Sequence, residues 1–138
     1  MLSELSNRLS HAIEQKQLKH KLERDLQAVT IELQEQTTRL KALEKQLKKE
    51  EVDVARLEKT SLTSLFQSVL GNREEQLEKE RQELLAAQLQ YQQTSRRVTY
   101  LQEDKTSLEH KLSSLKDIER TYSTLLKERN KRFYLKIL

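Results

Sequence analysis

No proline occurs in these 138 residues, and a single glycine, Gly71, is the only residue able to take a positive φ at little cost. An average soluble chain of this size carries about ten glycines and roughly seven prolines. Turns are therefore scarce, and nearly the whole chain must lie in long helices. Leu, Glu, Lys and Gln dominate, with charged and apolar residues each at 35%, as in long helices and coiled coils. Bulky core residues are few: Phe66, Phe133, four tyrosines and no tryptophan. Burial is expected along a narrow stripe and not in a compact core.

That stripe can be read directly. Leu22, Leu26, Val29, Leu33, Gln36, Leu40, Leu43, Leu47, Glu50, Val54 and Leu57 step by four and three, the repeat that keeps one face of a helix against a partner helix. A second seam follows: Leu77, Leu84, Tyr91, Val98, Lys105, Leu112, Glu119, Leu126 and Phe133 lie seven apart, with Ala87, Leu101, Leu108, Leu115 and Tyr122 as companions. Continuing the first phase beyond Leu57 meets Ser61, Ser64, Ser68, Gly71, Glu75 and Glu78. None is apolar, so the seam breaks there.

At the break, Leu62, Leu65, Phe66, Val69 and Leu70 mark one face of a short amphipathic helix. Gly71 is placed to stop it, and Asn72 to cap a new helix with Glu75 reaching back. Two arrangements fit a broken seam, a chain folded back as a hairpin or an interrupted parallel dimer. Near-equal arms favour the hairpin. The expected fold is all-α, a long antiparallel two-helix coiled-coil hairpin with a short amphipathic helix at the tip: arm 1 over about 3–59, tip 60–72, arm 2 over about 73–137. Pairing positions whose numbers sum to 134 sets every a of one arm opposite a d of the other, as in Leu33 with Leu101, Leu43 with Tyr91 and Leu57 with Leu77. In that register Glu50 faces Leu84 and Lys105 faces Val29, each with its head expected in water. Near the N-terminus the phase fails, with Leu2, Leu9, Ile13 and Leu18 off the positions that Arg8, Gln15 and Lys19 occupy, which predicts a phase shift or a loosened helix at about 12–18.

No cysteine is present, which removes disulfides and thiolate metal sites. Met1-Leu2-Ser3-Glu4 does not begin an export signal, and no window approaches the ~20 apolar residues of a membrane span. The expected location is cytoplasmic. Only His11, His20 and His110 are imidazoles and no glycine-rich phosphate loop exists, so the chain reads as a non-enzyme with no cofactor, no metal and no small-molecule substrate. A clip of His20 and His110 with Glu23 and Glu109 is conceivable in the register, with solvated surface side chains as the plainer account.

Two surfaces remain as candidates for binding. The tip residues Leu62, Leu65, Phe66, Val69 and Leu70 either fold over Leu57 and Leu77 or meet a protein partner or a second copy. At the other end, Arg8, Lys16, Lys19 and Lys21 would join Lys127, Arg129, Lys131, Arg132 and Lys136, a basic end for nucleic acid or an acidic membrane surface. The functional expectation is a structural, scaffolding coiled coil acting through protein–protein interaction or self-association, with an anion-binding module as the alternative. The stretch SLTSLFQSVLGNREEQLEKERQELLAAQLQY, residues 61–91, resembles a segment of uncharacterised bacterial coiled-coil proteins. That resemblance implies a break between two helical arms and no activity. In shape the chain is similar to the hairpins of prefoldins and structural-maintenance-of-chromosomes proteins, and shape alone implies no function.

Overall fold

The computed structural model describes the backbone of residues 2–63 and 70–137 and the side chains of 2–59 and 74–136. Three helices follow one another: α1, Leu2–Thr63; α2, Leu70–Ser114; and α3, Ile118–Ile137. No strand occurs among the described residues, and the fold is an all-α helical hairpin. Contacts divide it into two units, Met1–Ile31 with Gln102–Leu138, and Glu32–Leu101. In each, a stretch of α1 lies antiparallel to the returning chain.

In the unit of Glu32–Leu101 the seam is filled as the repeat requires. Leu43, Val54, Ala87, Val98 and Leu101 are buried, and every other seam position from Leu33 to Leu57 and from Leu77 to Tyr91 is half-buried. Thr94, opposite Leu40 in the register, is buried too. Two charge pairs cross between the arms. Arg97 Nε donates to Glu32 Oε1 at 3.0 Å, with Nη2 on the same oxygen, and Arg81 Nη2 donates to Glu58 Oε1 at 3.1 Å. Their numbers sum to 129 and 139, five to either side of 134. Residues flanking an antiparallel seam on its two edges meet with that offset, so both edges agree with the register the seam requires.

The unit of residues 1–31 and 102–138 departs from a single uninterrupted phase, and it does so in both arms. In α1 the buried positions run Leu5, Leu9, Ala12 and then Leu22, with Gln15, Lys16 and Lys19 half-buried between. Arg8, which the downstream phase would place inside, is exposed, as are Ile13 and Leu18. The helix does not loosen there; it stays continuous through residues 12–18 and only its inward face changes. The returning arm, expected as one unbroken helix over about 73–137, changes phase by breaking into α2 and α3. Leu115 to Asp117 leave the helix, the Leu115 and Ile118 amides donating to the Leu112 and Leu115 carbonyls at 3.0 and 3.1 Å. These i→i+3 bonds replace a turn of α-helix. Beyond them Ile118, Tyr122, Leu125 and Leu126 are half-buried while Glu119 is exposed. Ile118 thus takes the inward place expected of Glu119, a shift of the stammer type in which one three-residue step follows another.

Two further expectations are corrected. Helix α2 already includes Leu70, Gly71 and Asn72, and no positive-φ glycine occurs among the described residues. Gly71 therefore does not end a helix. Glu50, expected to send its head to water, instead holds Oε2 buried with no hydrogen-bond partner. Lys105 behaves as expected of a half-buried lysine, its Nζ lying 3.9 Å from Glu109 Oε1.

Candidate functional site

The tip residues Leu65, Phe66 and Val69 lie outside the described residues, as do the side chains of Leu62 and Leu70. The basic end is described, and it is more mixed than a count of charges suggests. Arg8 reaches Glu4 at 3.4 Å on its own helix, and Arg132 donates to Glu128 at 2.8 Å on α3. These four side chains line one small cleft with Leu5, where paired carboxylates offset both guanidinium groups. Lys16 Nζ sits 4.7 Å from the centre of the Tyr122 ring, a cation–π contact. Lys19 is largely buried between Glu23 at 3.8 Å and Glu119 at 3.7 Å. Four of the nine predicted cations are thus committed within the fold.

The other five, Lys21, Lys127, Arg129, Lys131 and Lys136, are exposed and make no ion pair among the described residues. Arg120, outside the predicted set, joins them. The signal for it was available: α3 holds two acids in its described length, Glu119 and Glu128, and both are engaged, leaving Arg120, Lys127 and Lys131 without a partner on that helix. Phe133 and Tyr134 stand edge to face with centroids 6.2 Å apart, and Phe133 with Leu2, Ser6, Arg129 and Asn130 lines a second cleft.

The histidine clip is not assembled. His20 turns to Glu23 and Glu119, Nδ1 and Nε2 each 3.8 Å from a carboxylate oxygen, while Glu109 meets Lys105. His11 lines a shallow groove of about 590 Å³ whose floor is Ala12, Ile118 and Leu125. That groove follows from the phase shift: Ala12 is small, and the break at 115–117 redirects the side chains opposite it.

One carboxylate cluster stands apart, in the unit of Glu32–Leu101. Glu50, Glu80 and Glu83 each bring an oxygen within 4.8 Å of the others. Three hard oxygen donors are a set that calcium or magnesium accepts, yet exposed acids also lie this close without an ion. Desolvation by burial raises the Glu80 pKa above the ordinary 4.5, helped by Glu83, Glu50 and Asp53 and last by a hydrogen bond with Glu50. Sequence reasoning missed the cluster because it compared seam layers directly opposite one another. Glu80 faces Val54 in that scheme, and the clash with Glu50 is diagonal.

No described helix is long and apolar enough to cross a membrane. No protein-family model matches this chain, and no curated protein or solved structure matches it either.

Proposed function

We propose that this protein is a non-enzymatic scaffold, an antiparallel helical pair that holds other components in place through its hydrophobic tip. One observation carries the reading: the apolar seam of α1 is consumed by its own returning chain, from Leu22 to Leu57. Partners must then be met by what the seam leaves over, and the tip carries five apolar residues in one periodic face. The test replaces Leu65, Phe66 and Val69 by Ser and compares far-UV circular dichroism, sedimentation and the proteins captured from cells. Retained helicity with loss of self-association or of a specific captured partner supports the reading. Unchanged company refutes it, and a collapse of helicity makes those residues core.

A second reading is favoured by one separate observation, the five predicted cations at the basic end that have no ion pair among the described residues. In that reading the same end binds anions, on nucleic acid or on an acidic membrane.

A further inference from the structure

We infer that the outer face of α3 docks on an anionic lipid surface, a proposal that rests on the anion-binding reading and names its ligand. Arg120, Thr124, Lys127, Lys131, Tyr134 and Leu135 follow at intervals that bring them to one side of the helix. All six are exposed. The opposite side, Ile118, Tyr122, Leu125 and Leu126, is turned inward against α1. The two acids that could neutralise this face are drawn away, Glu119 to Lys19 and His20 and Glu128 to Arg132. What remains outward is a row of three unpaired cations ending in Tyr134 and Leu135, which are 67% and 65% exposed.

The combination selects the partner. Unpaired lysines attract any polyanion, and each near an acidic membrane contributes about fivefold in affinity. A duplex would leave Leu135 without a use, since phosphate recognition calls only on charge and hydrogen bonds. Single-stranded nucleic acid stacks its bases on aromatic rings; Tyr134 offers one such ring, but Leu135 beside it would again be without a use. A lipid surface uses both kinds of side chain at once. Lysines meet the phosphates, and an amphipathic Tyr beside a Leu settles at the headgroup level.

The experiment is flotation of the full chain with vesicles of phosphatidylcholine alone or in equal parts with phosphatidylserine, at low salt, with labelled duplex DNA as a parallel ligand. The protein is expected to float only with the anionic vesicles. Lys127→Gln with Lys131→Gln should weaken this on the order of 25-fold, and Tyr134→Ser with Leu135→Ser several-fold, both with unchanged far-UV helicity. Because the chain has no tryptophan, Tyr134→Trp supplies a single reporter whose emission should shift to the blue on anionic vesicles. No flotation and no shift overturn the lipid inference. If duplex is then bound, and lost in the double lysine variant, the anion-binding reading survives alone; if duplex is not bound, both fall. Flotation that neither double variant weakens refutes this face as the docking surface.

Discussion

Glu50 occupies a seam position with one carboxylate oxygen buried and unpartnered, beside Glu80 and Glu83. A buried acceptor without a donor costs about 1–3 kcal/mol, whereas an apolar side chain of similar size there would cost nothing of the kind. Glu50→Leu should therefore raise stability in urea at neutral pH by about that amount. The effect should also depend on acid. Glu80 keeps its proton to a higher pH in the folded chain than in the unfolded one, because its carboxylate is partly desolvated at a half-buried position and lies near those of Glu83, Glu50 and Asp53. A group raised in this way contributes stability that is complete below about 4.5 and is lost as pH rises through its folded value. Urea midpoints of the wild type should thus rise as pH falls from neutral toward 4.5, and Glu80→Gln should flatten that dependence. A dependence left intact in Glu80→Gln would place its source in other carboxylates.

At the scale of the helix, the phase shift makes a prediction that separates two neighbours. Ile118 is half-buried on the groove floor, while Glu119 is exposed and reaches Lys19 and His20. Ile118→Ala should cost about 2 kcal/mol in urea denaturation, the low end for a large-to-small change because the site is only partly buried. Glu119→Ala should cost under about 1 kcal/mol, as befits exposed ion pairs. The reverse order would restore the unbroken heptad. This is also where the limits of sequence reading are physical. Between Leu22 and Leu112 each arm repeats every seven residues, and periodicity alone gave the seam, the register and the burial of Leu101. The break at Leu115–Asp117 has no glycine or proline to announce it. Its signs were an isoleucine directly before a glutamate at a seam position, and a matching failure of phase at Leu9 in the other arm. The second alone shows as a failure of phase, and it points to one helix, whereas both arms change together. At the basic end, the cations themselves are legible in the sequence, but not that Glu4, Glu23, Glu119, Glu128 and Tyr122 engage four of them, because those partnerships depend on rotation about the helix axis.

For the molecule as a whole, the consequence of a seam filled from within the chain is that folding should not require a second copy. In an interrupted parallel dimer, by contrast, each Leu33 would face its own counterpart, and stability would rise with protein concentration by mass action. The two are distinguished by replacing Leu33 and Leu101 with cysteine in a chain that has none of its own. Leu101 is 1% exposed and Leu33 half-buried, and the pairs Glu32–Arg97 and Glu58–Arg81 hold the arms in the register that makes them opposite. Oxidation at low protein concentration should give monomers with faster mobility in non-reducing gels and a melting temperature raised relative to the reduced form, since a crosslink closing about 68 residues removes loop entropy from the unfolded chain worth roughly 4 kcal/mol when unstrained. The melting temperature of the uncrosslinked protein should stay constant across about a hundredfold range of concentration, where a dimer would gain about 2.7 kcal/mol of the kind that mass action supplies. Mainly interchain disulfides at low concentration, together with a melting temperature that climbs with concentration, would show that the seam is shared between chains. The outer face of α3 and the tip would then have to be reconsidered as surfaces of that assembly.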